Sequence, residues 1–178
     1  MVKMKVTTEG EAVVNALWDV IAAKGFEKDT YFNMAARHIR ALPKLEGTVH
    51  VNIALIVKFM PNYFFAPAEY PDIPVRRDEG HDAYLFEQAP TRGLGKIQFH
   101  DWAATFDRFA TPNIGIFRGQ VETFRTMLET AAPDENQVAD IDFLLALGEL
   151  FSLVVYAQLI LEAVELHGIS EHITEQIF

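Results

Sequence analysis

The sequence predicts an all-α fold, a helical bundle, from three observations. Apolar residues recur every three or four positions in several stretches, alternating strand patterns are scarce, and proline or glycine residues separate the periodic stretches. The chain has 178 residues, of which 50% are hydrophobic. This length and composition suit a single helical domain over residues 1–178 with a substantial buried core.

The first two helices are predicted from their caps and their apolar faces. Thr8 and Glu11 match a capping box at the start of the first helix, and Gly25 matches the glycine that follows a helix end. Asp29 is predicted to cap the second helix, and Pro43 to end it. The predicted apolar faces consist of Ala12, Val13, Ala16, Leu17, Val20 and Ile21 in the first helix and Phe32, Ala35, Ala36 and Ile39 in the second.

The remaining helices are predicted at 49–59, 101–109, 114–130, 133–166 and 171–178. Pro61 is expected to end the first of these, and Ser170 to cap the last. Gly148 is expected to mark a bend or a close helix crossing. The segment 61–96 is rich in proline and aromatic residues, so we predict an ordered loop packed on the helices, compatible with a short hairpin near 83–86.

Composition excludes several classes of function. The net charge is −10 without a basic cluster, which argues against nucleic-acid binding. The chain has no cysteine, so disulfides, thiolate catalysis and cysteine metal sites are excluded, and no signal peptide is recognisable at the start. The apolar run 141–166 carries Asp142, Glu149 and Glu162 and is predicted to be a buried helix, not a membrane span. We expect a cytoplasmic protein.

One stretch, Gly25–Thr48, indicates chemistry. It joins a glycine turn, a short amphipathic helix and a proline-containing exit, and it places Glu46 directly before Gly47 and an apolar helix. A carboxylate on a tight loop between apolar helices is poorly solvated. Poor solvation raises the pKa of carboxylic acids in general and makes them usable general bases near neutral pH. Glu46 is therefore the candidate catalytic residue.

The same stretch resembles the C-terminal helical domain of flavin-dependent acyl-CoA dehydrogenases. The resemblance rests on Gly25-Phe26, Arg37 and Glu46-Gly47-Thr48, which match the family's Gly-Phe, arginine and Glu-Gly-Thr in register without a gap. It continues through Leu42–Asn52 into the next helix. A subset of bacterial members with longer C-termini is similar along most of the chain, including the stretches GLGKIQFHDW and DFLLALGELF.

The resemblance implies oxidation of an acyl-CoA to a 2-enoyl-CoA. Glu46 would remove the proton α to the thioester, and a hydride would pass from the β carbon to FAD. Gly47, Thr48, His50 and Arg37 would contact the cofactor. The family's N-terminal and middle domains are not found in this chain, so we expect a portion of such an enzyme that is inactive alone and forms homo-oligomers.

One departure and several alternatives accompany this interpretation. Asp19, Ala22 and Ala23 stand where the family has a glutamine and paired glycines near the FAD diphosphate of a neighbouring subunit. Glu46 could instead be an acid stabilised by a helix N-terminus, and Arg37 an ordinary surface or ion-paired residue. Thr48 could only cap a helix, and His50 could be a packing residue. The alternative function is a non-catalytic helical module for interaction or assembly.

The histidine and lysine motifs predict no further site. His81-Asp82 and His100-Asp101, with Glu79 nearby, do not have the spacing of a metal site. Lys96 follows a glycine turn but lacks the full phosphate-loop pattern. No metal is therefore predicted.

Overall fold

The computed structural model describes residues 2–45, 47–69 and 97–178. This part of the chain is mostly helical and contains no β-strand, only an isolated bridge between Pro67 and Phe99. The all-α prediction is thus confirmed for it. Most of the proline-rich segment and the predicted hairpin near 83–86 lie outside the described residues. The helices are α1 Val2–Ile21, α2 Tyr31–Ala41, α3 Val49–Ile56, α4 Met60–Phe65, α5 Trp102–Phe106, α6 Pro112–Thr130, α7 Glu135–Ala139, α8 Ile141–His167 and α9 Glu171–Ile177.

The chain divides into two compact units. The first contains Met1–Val57 and Met127–Ile160, and the second contains Lys58–Thr126 and Leu161–Phe178. Helices α6 and α8 contribute residues to both units.

Helix α1 differs from its prediction at both ends. It is already helical at Val2, so the capping box predicted at Thr8 is wrong. Nothing in residues 2–7 breaks a helix, and the Thr7 hydroxyl donates to the Lys3 carbonyl at 2.5 Å, one turn earlier. The helix ends at Ile21, not at Gly25, because Ala22 adopts a left-handed φ of 55° and a short 3₁₀ turn follows.

The face of α1 that packs in the first unit is also not the predicted one. Met4 and Thr7 are buried, and Val14 and Trp18 are half-buried. These positions are spaced by three, seven and four residues, which places them on one side of α1, and α1 contacts α2. Of the predicted face, Val13, Leu17 and Val20 are instead exposed.

Helix α2 has the predicted packed face but a different cap. Ala36 is buried, and Phe32, Ala35 and Ile39 are half-buried. The cap is Thr30, whose hydroxyl accepts from the Asn33 amide at 3.2 Å, while Asp29 has a left-handed φ of 63°. The helix ends at Ala41, and Pro43 lies in the 3₁₀ turn Leu42–Lys44, as its effect on a helix predicts.

Proline and aspartate change two further boundaries. Pro61 does not end the third helical stretch; it lies in the first turn of α4, where a proline lacks no needed hydrogen bond. The single helix predicted over 133–166 is two helices. The break is at Asp140, whose extended backbone ends α7 and whose carboxylate accepts from the Asp142 amide at 2.9 Å. Asp134 and Gln137 form a capping box at the start of α7.

Gly148 confirms the predicted close crossing, which joins α3 and α8 within the first unit. A Cβ at this position would lie 2.4 Å from Cγ2 of Ile53 and 3.0 Å from its carbonyl oxygen. Only glycine allows the two backbones to approach so closely.

The second unit has an aromatic core. Tyr63, Phe64, Trp102 and Phe106 are buried and make edge-on ring contacts, and the carboxylate of Asp101 caps α5 by accepting from the Ala103 amide. The predicted helices beginning near 101 and 114 are confirmed. Helix α9 follows Ser170 as predicted, although the Ser170 side chain makes no capping bond.

Helix α8 has 27 residues and is long and apolar enough to cross a membrane by length and composition. The core helix of a soluble protein meets the same criterion. Its buried side chains recur along one side of the helix, as expected for packing in a core, and include Leu147, Phe151, Val154, Ala157, Leu161 and Val164.

Candidate functional site

The candidate site is the loop between the 3₁₀ turn Leu42–Lys44 and α3. Leu45 is extended, with ψ of 143°, and Gly47 has a left-handed φ of 95°. Thr48 is again extended and directly precedes α3. Glu46, the predicted catalytic base, lies outside the described residues, so the structure places its two neighbours but not its carboxylate.

The loop is tethered on both sides through the carbonyl oxygen of Gly47. This oxygen accepts from Nζ of Lys3 in α1 at 3.0 Å and from Nδ2 of Asn52 in α3 at 3.2 Å. Asn52 Nδ2 also donates to the Thr48 carbonyl at 2.9 Å. A hydrogen bond from a charged donor is stronger than a neutral one, so Lys3 is the firmer of the two tethers.

Sequence reasoning missed both of these residues. Lys3 is 44 positions away from Gly47, and no sequence pattern connects them. Asn52 lies one turn inside α3, where an asparagine often bonds back to the preceding backbone. That local preference is the signal that could have identified it.

Gly47 is needed for its backbone conformation and not for space. A φ of 95° is strained for any residue with a side chain, whereas a Cβ there would meet nothing closer than 3.6 Å. Its role in the loop is therefore to turn the chain directly after residue 46.

Thr48 and His50 are both exposed at the start of α3. The Thr48 side chain makes no capping hydrogen bond, so the alternative that it only caps the helix lacks the expected contact. His50 is not a packing histidine, because it is exposed. Both side chains are accessible to a ligand.

Arg37 is exposed on α2 and lines a surface groove of about 660 Å³. The groove also includes Lys28, Tyr31 and His38, but none of Gly47, Thr48 and His50. The structure therefore does not bring the four predicted cofactor contacts into one cavity.

These observations test whether the described residues fit FAD. A cofactor of that size requires an enclosing pocket with several convergent polar groups. Three of the predicted contacts, Arg37, Thr48 and His50, are on open surface, and Gly47 is half-buried. The four predicted contacts therefore do not by themselves form a flavin site.

A separate cleft of about 610 Å³ lies in the second unit. Its polar lining includes Glu69, Asp101, Glu162 and Glu165, with the carboxylate of Glu165 paired to Nε of Arg108 at 3.1 Å. In the same unit, burial raises the pKa of the Tyr63 hydroxyl far above its ordinary range, and the charges of Glu162 and Asp101 add to this effect. Tyr63 therefore stays neutral.

No cluster of histidine and acidic side chains able to hold a metal occurs among the residues that the structure describes. His100 and Asp101 both line the cleft in the second unit without forming such a cluster. The other motifs considered from sequence, Glu79, His81-Asp82 and Lys96, lie outside the described residues.

Comparisons of this chain with protein-family models, curated proteins and solved structures find no match. The similarity to acyl-CoA dehydrogenases, which rests on the motif between Gly25 and Thr48, accordingly stays a prediction.

Proposed function

We propose that this chain is the base-bearing helical portion of an acyl-CoA dehydrogenase, which oxidises an acyl-CoA to a 2-enoyl-CoA. The proposal rests on the registered motif that ends in Glu46-Gly47-Thr48. Its main structural support is the loop itself, where the left-handed Gly47 is held by Lys3 and Asn52. A general base acts only when it is held in position relative to the substrate proton. A tethered turn is a suitable element for holding it.

In this proposal the contribution of the chain is proton removal. The Glu46 carboxylate accepts the proton from the carbon α to the thioester carbonyl. Position 46 is three residues before the first residue of α3 in sequence. Only the ionised carboxylate of a glutamate can accept a proton.

The cofactor is held by a different part of the enzyme or by another polypeptide. The four predicted contacts do not share a cavity, so we assign no redox step to this chain. FAD and acyl-CoA remain proposed partners of the complete enzyme. The chain alone is then expected to show neither stoichiometric FAD nor dehydrogenation.

The test combines the chain with the flavin-bearing polypeptide expected in its genomic neighbourhood. Release of the α proton is measured as the rate at which deuterium from the solvent exchanges into an acyl-CoA. Flavin reduction is measured by absorbance. Glu46→Gln should lower both rates by ~10²–10⁴-fold, because its amide keeps the shape but cannot accept the proton. Glu129→Gln, which changes an exposed acid at the end of α6, is the matched control.

Near-normal exchange with Glu46→Gln would place the base elsewhere. Tight stoichiometric FAD in the isolated chain would contradict the assignment of the cofactor to another part of the enzyme.

A second candidate function, a non-catalytic assembly module, has its own support. The outward side of α1 leaves Val13, Leu17 and Val20 exposed, with 57%, 44% and 81% of their surface accessible. Apolar side chains in a row on a helix mark an interaction surface. This candidate predicts homo-oligomers without flavin chemistry, so the exchange assay separates it from the first.

A further inference from the structure

A second groove of the first unit, about 780 Å³ in volume, lies beside the C-terminal half of α1. Its lining includes two aromatic rings, an amide and two opposite charges, which are Trp18, Phe26, Asn15, Asp19 and Arg40. We call it the Trp18 groove. None of the residues of the candidate loop lines it, so it is distinct from the site proposed for the base.

The guanidinium of Arg40 is held in this groove by two partners. Its Cζ lies 4.8 Å from the centroid of the Trp18 ring, and its Nη2 donates to Oδ1 of Asn15 at 2.9 Å. Among the residues that the structure describes, no acid pairs with Arg40. A guanidinium has several N–H donors in a planar fork, so most of them stay available to an oxyanion. A fork held in one place is suited to bidentate binding of a carboxylate.

The aromatic part of the groove is packed on one side and exposed on the other. The ring centroids of Trp18 and Phe26 are 4.9 Å apart, and Phe32 packs edge-on against Trp18 at 5.4 Å. The Nε1 edge of Trp18 packs against Gly25, where an added Cβ would lie 2.5 Å from Nε1. Phe26 is 72% exposed. An exposed phenylalanine near a fixed guanidinium gives a ligand with an aromatic ring an apolar surface to pack on.

Asp19 adds the opposite charge to the same groove. It is exposed and, in the described parts of the chain, forms no ion pair with Arg40 or with any other base. Asp19 follows Asn15, the anchor of Arg40, by four residues, which is about 6 Å along α1. A ligand with only a negative charge is repelled by Asp19, and one with only a positive charge is repelled by Arg40. The groove therefore favours a ligand that carries both charges close together.

We propose that the Trp18 groove binds a free aromatic α-amino acid in its zwitterionic form. The carboxylate of the ligand pairs with Arg40, its ammonium group pairs with Asp19, and its ring packs on Phe26. Both ligand charges are on one carbon, so they can reach two protein charges that are about one helical turn apart. The groove is open and the ligand is small, so we expect a dissociation constant of roughly millimolar order. The proposal does not depend on the role of Glu46.

Three probes with the same ring separate the contributions of the two charges. L-phenylalanine carries both charges, phenylpropionate carries only the carboxylate, and phenethylamine carries only the ammonium group. Each is titrated into the full chain at low salt, where exposed charges are least screened. Binding is followed by tryptophan fluorescence, because Trp18 lines the groove and the other tryptophan, Trp102, is buried in the second unit. L-phenylalanine should bind more tightly than either other probe by ~10-fold or more.

Removal of one protein charge at a time assigns each contact. Arg40→Met should weaken binding of L-phenylalanine and phenylpropionate by ~10-fold or more, whereas phenethylamine should bind at least as tightly as to the parent chain. Asp19→Asn should give the reverse pattern. It should weaken L-phenylalanine and phenethylamine by a similar factor, and phenylpropionate should bind at least as tightly as before, because the repulsion from the carboxylate is gone.

Arg125→Met and Asp142→Asn are the matched controls. Arg125 also lies over an aromatic ring, with its Cζ 5.3 Å from the centroid of Phe65, but it belongs to the second unit. Asp142 is an exposed acid in the first turn of α8. Both controls should bind the three probes like the parent chain, and circular dichroism checks that every variant folds.

The Asp19→Asn arm keeps the test decisive even if Arg40→Met disturbs the packing on Trp18, because Asp19 is exposed. Three results would each overturn the proposal. They are the absence of saturable L-phenylalanine binding, equal or tighter binding of a probe with a single charge, and an Asp19→Asn variant that binds L-phenylalanine like the parent.

Discussion

Replacement of Gly148 by alanine should destabilise the protein at the crossing of α3 and α8. The added Cβ would lie 2.4 Å from Cγ2 of Ile53, 3.0 Å from the Ile53 carbonyl oxygen and 3.1 Å from Cγ2 of Val57. The Ile53 side chain is 2% exposed, and its carbonyl belongs to the backbone of α3. Relief of the overlap therefore requires the two helices to separate.

Two opposing contributions set the size of the stability change in Gly148→Ala. Overpacking of a core costs about 1–3 kcal/mol, whereas alanine in a helix interior gains about 1 kcal/mol over glycine. Because a backbone atom is one of the contacts, the upper half of the packing cost applies, and Gly148→Ala should lose a net ~1–2 kcal/mol. For a chain of this length that corresponds to a fall in Tm of about 2–8 °C.

Gly119→Ala is the control, because a Cβ at this exposed position of α6 meets no atom within 4 Å. It should gain the same helix propensity of about 1 kcal/mol without a packing cost. The difference between the two variants in free energy of unfolding is then the packing cost alone. Urea unfolding followed by far-UV circular dichroism measures it, and equal stabilisation of both variants would refute the close crossing.

Two further predictions concern a cap and a buried hydroxyl. Asp134→Ala removes the capping box of α7 and should cost ~1 kcal/mol in the same urea assay; an unchanged unfolding midpoint would contradict the cap. The pKa of Tyr63 is raised in the folded state, so the unfolded chain releases this proton first as pH rises, and stability should fall above about pH 10. Tyr63→Phe should remove that part of the decline between about pH 9 and 11, and Tyr31→Phe, at an 81% exposed position, should not. Parallel declines in both variants would show that Tyr63 is not the group responsible.

The sequence predicted helices well where only one face is apolar. In α2, Ala36 and its neighbours carry a single periodic stripe, and the predicted face is the packed one. In α1, two stripes have spacings of three and four, and periodicity cannot decide which one packs toward α2. The cap predicted at Thr8 failed for a related reason, since capping residues are also compatible with a helix interior when nothing breaks the preceding turn.

The break between α7 and α8 at Asp140 shows a second limit of prediction from sequence periodicity. An aspartate within an apolar periodic stretch fits the polar side of a long helix as well as it fits a cap. The structure distinguishes these cases through the bond from the Asp142 amide to the Asp140 carboxylate, which a sequence pattern does not specify. The same limit applies to the candidate site, where Gly47 was predicted but its tether to Lys3 was not.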